Sequence, residues 1–322
     1  GGQNTAVGNS AMEVLTTGVR NTAIGYVALD ANTTGDDNTA VGKDALGANT
    51  TGADNVAVGV NALGANTTGV DSVAVGTDAL KLNTASSNTA VGNNALTNNV
   101  TGVYLAAFGA GALAQSTGDS NTAMGALAGS NITSGDHNTY VGFASGDAHT
   151  TADNCTGVGS FTLSENTTGT KNTAVGRGAL FSNTTPANNT AIGYHAMNLN
   201  TTGANNTAIG SFAMELNTTG TRNLAIGYAA YDASDTENDN TAIGYNAMTT
   251  NTAGGERNTA VGSLACDAIT SADDSVGVGY HALGGMTSGA NCTALGAHSG
   301  DSMVGNQNSM TLGYNAQPSS NS

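Results

Sequence analysis

Tryptophan is absent, proline occurs twice, and aromatic residues make up 4% of the 322 residues. So small a supply of large side chains excludes a thick globular core, because aromatic groups carry much of the burial in such cores. Charged residues are also scarce, at 9%, which excludes the charge-rich composition that keeps chains disordered. Lys and Arg total 7 against 23 Asp and Glu, a net charge of -16. That balance repels phosphate backbones, so nucleic acid is not an expected partner. No run of about 18 apolar residues occurs, so no membrane insertion is expected. Cys155, Cys266 and Cys292 show no CxxC spacing and read as small buried residues rather than a disulfide framework. No carboxylate pair, Ser/His/Asp set or phosphate-binding loop recurs, so neither an enzyme nor a bound cofactor is expected.

What the chain does have is glycine, 46 residues of it, and a motif that keeps returning. Asn21-Thr22-Ala23-Ile24-Gly25 recurs at Asn38–Gly42, Asn172–Gly176, Asn189–Gly193, Asn206–Gly210 and Asn240–Gly244. Nineteen glycines from Gly8 to Gly313 close its copies, among them Gly25, Gly42, Gly59, Gly176, Gly193 and Gly210. Their spacing is 17 residues, except 16 at Gly76–Gly92 and Gly109–Gly125 and 18 at Gly244–Gly262. A fixed period of this length signals a repeat architecture whose single layer is too small to fold alone.

Numbering each layer from the Asn of the motif puts the glycine at position 5. Position 4 is always apolar, as in Ile24, Val41, Val58, Val75, Val175, Ile192, Ile209, Ile226 and Ile243, and position 9 is mostly Leu or Met, as in Leu29, Leu46 and Leu63. Together these form the expected structural core. Positions 3 and 8 are mostly Ala, and Asn-Thr-Thr-Gly follows, as at Asn32–Gly35. Two short apolar runs divided by glycine and followed by turn residues predict two short strands per coil. A helix is opposed by Gly, Thr, Asn and Val, all poor helix formers. The expected fold is therefore an all-β parallel solenoid, or β-roll, of about 19 coils, continuous over 1–317 with a tail at 318–322. The 16- and 18-residue layers should absorb their change at the Asn-Thr-Thr-Gly corner.

Alternation places positions 2 and 4 on one strand face and positions 1, 3 and 5 on the other. Position 3 is small, and position 1 accepts Ser72, Leu105, Cys155 and Cys292, as a sheltered site would. The thin interior is expected on the small side, with the Val/Ile side against other copies of the chain; the reverse assignment is the rival.

At these residues the chain resembles two groups of proteins. The 17-residue unit with its Asn-Thr-Thr-Gly corner is similar to the repeats of phage tail-fibre-like proteins. More distantly, the Asn-Thr-Ala-Val/Ile-Gly motif resembles the β-roll heads of trimeric autotransporter adhesins. The resemblance covers Asn4 to Ala316. It implies a structural or adhesive segment of an extracellular, cell-surface or virion fibre, assembled as a homotrimer and contacting surface glycans. Gly1-Gly2-Gln3 already lies in register, as expected of an excerpt from a longer protein.

Two other functions stay open. One is a head-to-tail extracellular filament, since open coil ends are pairing surfaces. The other is an ice-binding solenoid, suggested by threonine at position 2 but interrupted by Val56, Val73, Ala106, Leu224 and Val276. A glycan-cleaving tailspike would need a carboxylate pair in a groove.

Candidate sites each have a plainer reading. Tyr194, Tyr228, Tyr245 and Tyr280 share position 6 and could stack on sugar rings or simply pack between chains. Asp37, Asp54 and Asp71 share position 17, where a column of carboxylates suits Ca²⁺ or merely faces solvent. Asp232, Asp235, Glu237 and Asp239 make a second acidic corner, and His281 and His298 share position 7 in adjacent coils, as a metal pair or a solvated face. Asn32, Asn49, Asn66, Asn166, Asn183, Asn200 and Asn217 open Asn-x-Thr sequons, although turn chemistry already demands Asn and Thr there.

Overall fold

Every motif copy becomes a three-residue strand, and strands one period apart lie side by side in parallel with like residues facing like: Thr22 on Thr39, Ala23 on Ala40, Ile24 on Val41. The computed structural model describes residues 2–318; positions 319–322 of the expected tail lie outside the described residues. The chain falls into two compact units, Gly1–Ser160 and Phe161–Ser322. Among the described residues the first holds ten strands, from Thr5–Val7 to Thr156–Val158, and the second nine, from Thr173–Val175 to Met310–Leu312. Each unit is a parallel β-solenoid without helix among the described residues.

The small side of the strand faces inward. Asn38 and Ala40 are fully buried, as are Ala45, Leu46 and Asn49 further round the layer. Leu29, Leu46 and Leu63 therefore belong to the core as expected. The position-4 residues do not: Ile24 is 41% exposed, Ile192 38% and Ile209 37%, while Val41, Val58, Val75, Val175, Ile226 and Ile243 are half-buried. This corrects their assignment to the core and agrees with the face analysis, because one three-residue strand can turn only its middle side chain inward.

The interior also carries two ladders of buried asparagine. At position 1, Asn38 Nδ2 donates to the Gly52 carbonyl at 2.8 Å, and the Asn38 N–H donates to Asn21 Oδ1 in the preceding layer at 2.9 Å. At position 12, Asn49 Nδ2 donates to Gly52 O and to Asn32 Oδ1, both at 3.0 Å. A buried amide must find partners or cost about 1–3 kcal/mol. Here a stack of identical layers supplies them.

The second apolar run differs from its expectation: among the described residues it is a run of turns, not a strand. Positions 7 and 9 take positive φ even as Val27 and Leu29, both at 50°, a conformation costing about 1–2 kcal/mol per L residue. The Val27 N–H reaches the preceding layer at Asn9 O (3.0 Å) and the Leu29 N–H the following layer at Ala45 O (3.1 Å), so inter-layer pairing survives without a strand. A strand would send neighbouring side chains to opposite faces. The left-handed residue lets Ala28 and Leu29 both be fully buried.

Glycine at position 5 is forced by contact. At Gly42, φ is +137° and a Cβ would lie 2.4 Å from the Gly59 carbonyl oxygen of the next layer. Changes of period fall at the corner, as expected. The 18-residue layer inserts Gly254, whose φ of +97° and open surroundings suit a bulge, and the following pairing Thr241 on Thr259 keeps its register.

Candidate interaction face

Inward packing of Asn and Ala leaves positions 2, 4 and 6 of each layer outside. In the second unit Thr173, Thr190 and Thr207 pair in register, as do Val175, Ile192, Ile209 and Ile226. The result is a hydroxyl column beside an aliphatic column, with rungs about 4.8 Å apart. The position-13 threonines lie elsewhere and are engaged: Thr33 Oγ1 donates to Thr50 O at 3.1 Å and Thr201 Oγ1 to Thr218 O at 3.0 Å.

Beside this face the second unit carries an aromatic ridge. Tyr194 stacks on His195 with centroids 4.2 Å apart and meets Phe212 edge-on at 5.3 Å. Phe212 meets Tyr228 edge-on at 5.8 Å, and Tyr228 stacks on Tyr245 at 5.6 Å. The expected tyrosines are thus brought together in part. Tyr194, Tyr228 and Tyr245 form one run, whereas Tyr280 joins His281 and His298. Tyr228 and Tyr245 are 50% and 54% exposed, so each offers an open ring. Arg177 Nη1 donates to the Tyr194 hydroxyl at 3.3 Å. Next to it a groove of about 370 Å³ is lined by Phe161, Arg177, Gly178, Phe181, His195 and Asn198. It exists because Gly178 stands at position 7, where the adjacent layers have Phe161 and His195.

The acidic columns are organised by arginine. Arg20 makes a bidentate pair with Asp37, Nε to Oδ1 and Nη2 to Oδ2 both at 2.6 Å, and this hydrogen bonding holds the Asp37 carboxyl below its usual range. Asp54 and Asp71 are exposed. Arg222 pairs likewise with Asp239, and Arg257 with Asp274. The last position of the layer therefore alternates Arg222, Asp239, Arg257, Asp274 through four layers. The aspartate column stands out in the sequence by itself; the arginines that share its register are legible from the same count, Arg20 and Asp37 being 17 residues apart, as are Arg222 and Asp239. Exposed pairs of this kind contribute little to stability.

The second acidic corner does not converge on a cation. Glu237 is buried, and its Oε2 accepts hydrogen bonds from Ser234 Oγ and the Asp235 and Thr236 N–H groups, all at 3.0 Å, while Oε1 accepts from the Gly254 N–H. It is a backbone clamp around the bulged corner. Asp239 is held by Arg222, and Asp235 accepts from the Thr218 hydroxyl. Burial pushes the carboxyl of Asp232 up.

All seven sequon asparagines, from Asn32 to Asn217, are fully buried. Their amides are held in the position-12 ladder, in keeping with the turn chemistry read from the sequence. Cys155, Cys266 and Cys292 are buried thiols, and burial raises the Cys266 pKa to about 12. His281 and His298 lie with ring centroids 5.5 Å apart.

No protein-family model matches the chain, and no curated protein matches it.

Proposed function

We propose that this chain is a structural segment of an extracellular or virion fibre, without catalytic activity, whose solenoids pack side by side through the strand face. One observation carries the reading: Val and Ile repeat at position 4, yet they stand on the outside, with Ile192 and Ile209 still more than a third exposed. A regular aliphatic column in register is a surface made for a partner with the same spacing. A second copy of the chain has that spacing by construction, and the resemblance to fibre repeats implies three copies around one axis. The aromatic ridge lies to one side of the column, where open rings such as Tyr228 suit the faces of sugars.

Light scattering on the purified chain tests the assembly. The expected mass is about three times that of one chain, falling to a single chain in the triple variant Ile192→Lys, Ile209→Lys, Ile226→Lys while the circular dichroism stays unchanged. A wild-type chain that is monomeric at every concentration sinks the proposal. Glycan contact is read separately on an array of immobilised glycans, where Tyr228→Ala should lose the signal and an array silent for the wild type removes that part.

The ice-binding alternative receives less support. The position-13 hydroxyls are tied to backbone carbonyls, and Leu224 interrupts the position-2 column between Thr207 and Thr241.

A further inference from the structure

Two successive layers of the second unit bring three metal-ligating side chains to one spot. His281 and His298 both occupy position 7, where a left-handed backbone (φ 53° and 56°) is locked by hydrogen bonds from their N–H groups to Ser263 O and Tyr280 O. Asp301 stands three residues after His298. One ligand atom from each of the three lies within 4.8 Å of the other two. His281 Nδ1 is 2.9 Å from Asp301 Oδ1, and His298 Nδ1 is 3.9 Å from Asp301 Oδ2. This is the one group of its kind among the described residues.

Two further features single the cluster out from a solvated row of histidines. The first is an unmet bonding capacity. His281 Nδ1 is buried and makes no hydrogen bond despite its closeness to Asp301, and neither does the buried Oδ1 of Asp267, which lies 3.8 Å from His281 Nε2. A buried polar atom without a hydrogen bond is costly, and a cation held between His281 Nδ1 and the Asp301 carboxylate would satisfy that nitrogen. The second is the space made for the ring. A Cβ on Gly284 would lie 2.3 Å from His281 Nδ1, so the imidazole rests where only glycine permits it. Tyr280 and Tyr314 flank His298 edge-on, with centroids at 5.1 and 6.2 Å, and shelter that side. Among the described residues, Asp267 and Asp301 form the ion-pair contacts of the two histidines, and Tyr280 and Tyr314 their tyrosine ring contacts. The ion-pair partners of Asp301 among the described residues are the two histidines.

We propose that His281, His298 and Asp301 form a binding site for a divalent transition-metal ion of the zinc class, clamping two adjacent layers. Two imidazoles with one carboxylate suit Zn²⁺, which binds such nitrogens and oxygens at about 2.0–2.2 Å and leaves a fourth position for water. Tetrahedral ligands at that bond length stand about 3.4 Å apart. The gaps from His281 Nδ1 to Asp301 Oδ1 and from His298 Nδ1 to Asp301 Oδ2, 2.9 and 3.9 Å, bracket that value, and all three ligand atoms already lie within 4.8 Å of one another. Calcium is disfavoured because it selects oxygen ligands in greater number.

Isothermal titration of the untagged full chain with ZnCl₂ tests the proposal, with Co²⁺ as an optical reporter. The expected result is one saturable equivalent per chain and the visible absorption bands of a low-coordinate Co²⁺ centre. His298→Ala and Asp301→Asn should each weaken binding at least about tenfold, with circular dichroism confirming that both variants stay folded. His195→Ala, which removes a position-7 histidine paired with Glu215 at 3.5 Å, should leave affinity unchanged. The proposal fails if no saturable binding is seen at millimolar Zn²⁺. It fails equally if binding survives His298→Ala and Asp301→Asn, or falls as much in His195→Ala as in those two variants.

Discussion

Two layers of the first unit fill the same cross-section in opposite ways. In the layer from Asn55 to Asp71, position 3 is Ala57, position 9 is Leu63 and position 12 is Asn66, all fully buried. In the layer from Asn138 to Asn154 the same positions hold Tyr140, Gly146 and His149. The large residue has moved from the turn run to the strand, and glycine stands where leucine was. A Cβ on Gly146 would lie 2.4 Å from Tyr140 Cε1. The amide of the position-12 ladder is replaced by an imidazole whose Nδ1 meets the Tyr140 hydroxyl. Between these two layers the bulk at positions 3 and 9 is exchanged and a polar group is kept at position 12, so the same space is filled by different residues. The second unit shows a different filling: Gly277 at position 3 faces Cys266 at position 9 of the preceding layer, and a Cβ on Gly277 would lie 2.5 Å from Cys266 Sγ. The larger buried residues of these layers include Ile269 and Met286 at position 12.

The largest expected effect comes from forcing one solution onto the other. Gly146→Leu puts a leucine into the volume held by Tyr140, at a left-handed residue, and overpacking of this kind costs about 3 kcal/mol or more. The single variant should be strongly destabilised in urea denaturation or fail to fold. The triple variant Tyr140→Ala, Gly146→Leu, His149→Asn recreates the regular layer and should recover most of the loss. A triple variant no better than the single one would show that the two layers are not alternative fillings of one space.

A pH titration of stability sharpens the comparison next. Burial pushes the pKa of His149 down from 6.5 to about 4, opposed by the nearby Asp153 carboxylate. The unfolded chain therefore binds the proton more readily than the folded one between those values. Stability from this group is complete above about pH 6.5, declines as pH falls, and is fully lost below about pH 4. The difference amounts to about 3 kcal/mol, since each tenfold step in proton affinity is worth about 1.4 kcal/mol. Denaturation midpoints measured from pH 7 to pH 4 should fall more steeply in the wild type than in the regularised triple variant. Parallel curves would remove His149 as the cause.

The contrast also marks what the sequence could tell. The period, the parallel register, the inward alanine and the corner placement of the odd-length layers were all legible, because each depends on identity recurring at fixed spacing. Position 4 was harder to place. Its residues are the most apolar in the strand, and apolarity normally signals interior, yet Ala40 takes the inside because the coil is too thin for Val41 to share it. The second run was misread as a strand because a left-handed Leu29 or Leu46 leaves no compositional mark; leucine is an unusual choice there, and the structure tolerates it for burial. The Asn-x-Thr sequons were legible as turn chemistry, although Asn and Thr at a corner look the same in sequence whether the amide points out or in. In the candidate sites, shared register found His281 with His298, but Asp301 enters from position 10, and only the folded corner brings it to them.

The smallest effect tests the ladder that the irregular layers interrupt. Asn66 Nδ2 donates to Asn49 Oδ1 at 3.1 Å, and Asn66 Oδ1 accepts from the Gly69 N–H at 3.1 Å. Asn66→Ala therefore leaves two buried groups without partners, and the expected loss lies at the upper end of about 1–3 kcal/mol. Asn217 sits where the ladder ends, because the next layer has Ser234 at position 12 in place of asparagine. Its Nδ2 donates to Asn200 Oδ1 at 2.8 Å, but its own Oδ1 is buried and makes no hydrogen bond. Removing that amide also removes an unmet acceptor, so Asn217→Ala should cost about 1 kcal/mol less than Asn66→Ala. Paired urea denaturations of the two variants measure the difference. Equal losses would mean that the stacked amides act as independent fillers, and the continuity of the ladder would then contribute nothing to the stability of the regular layers.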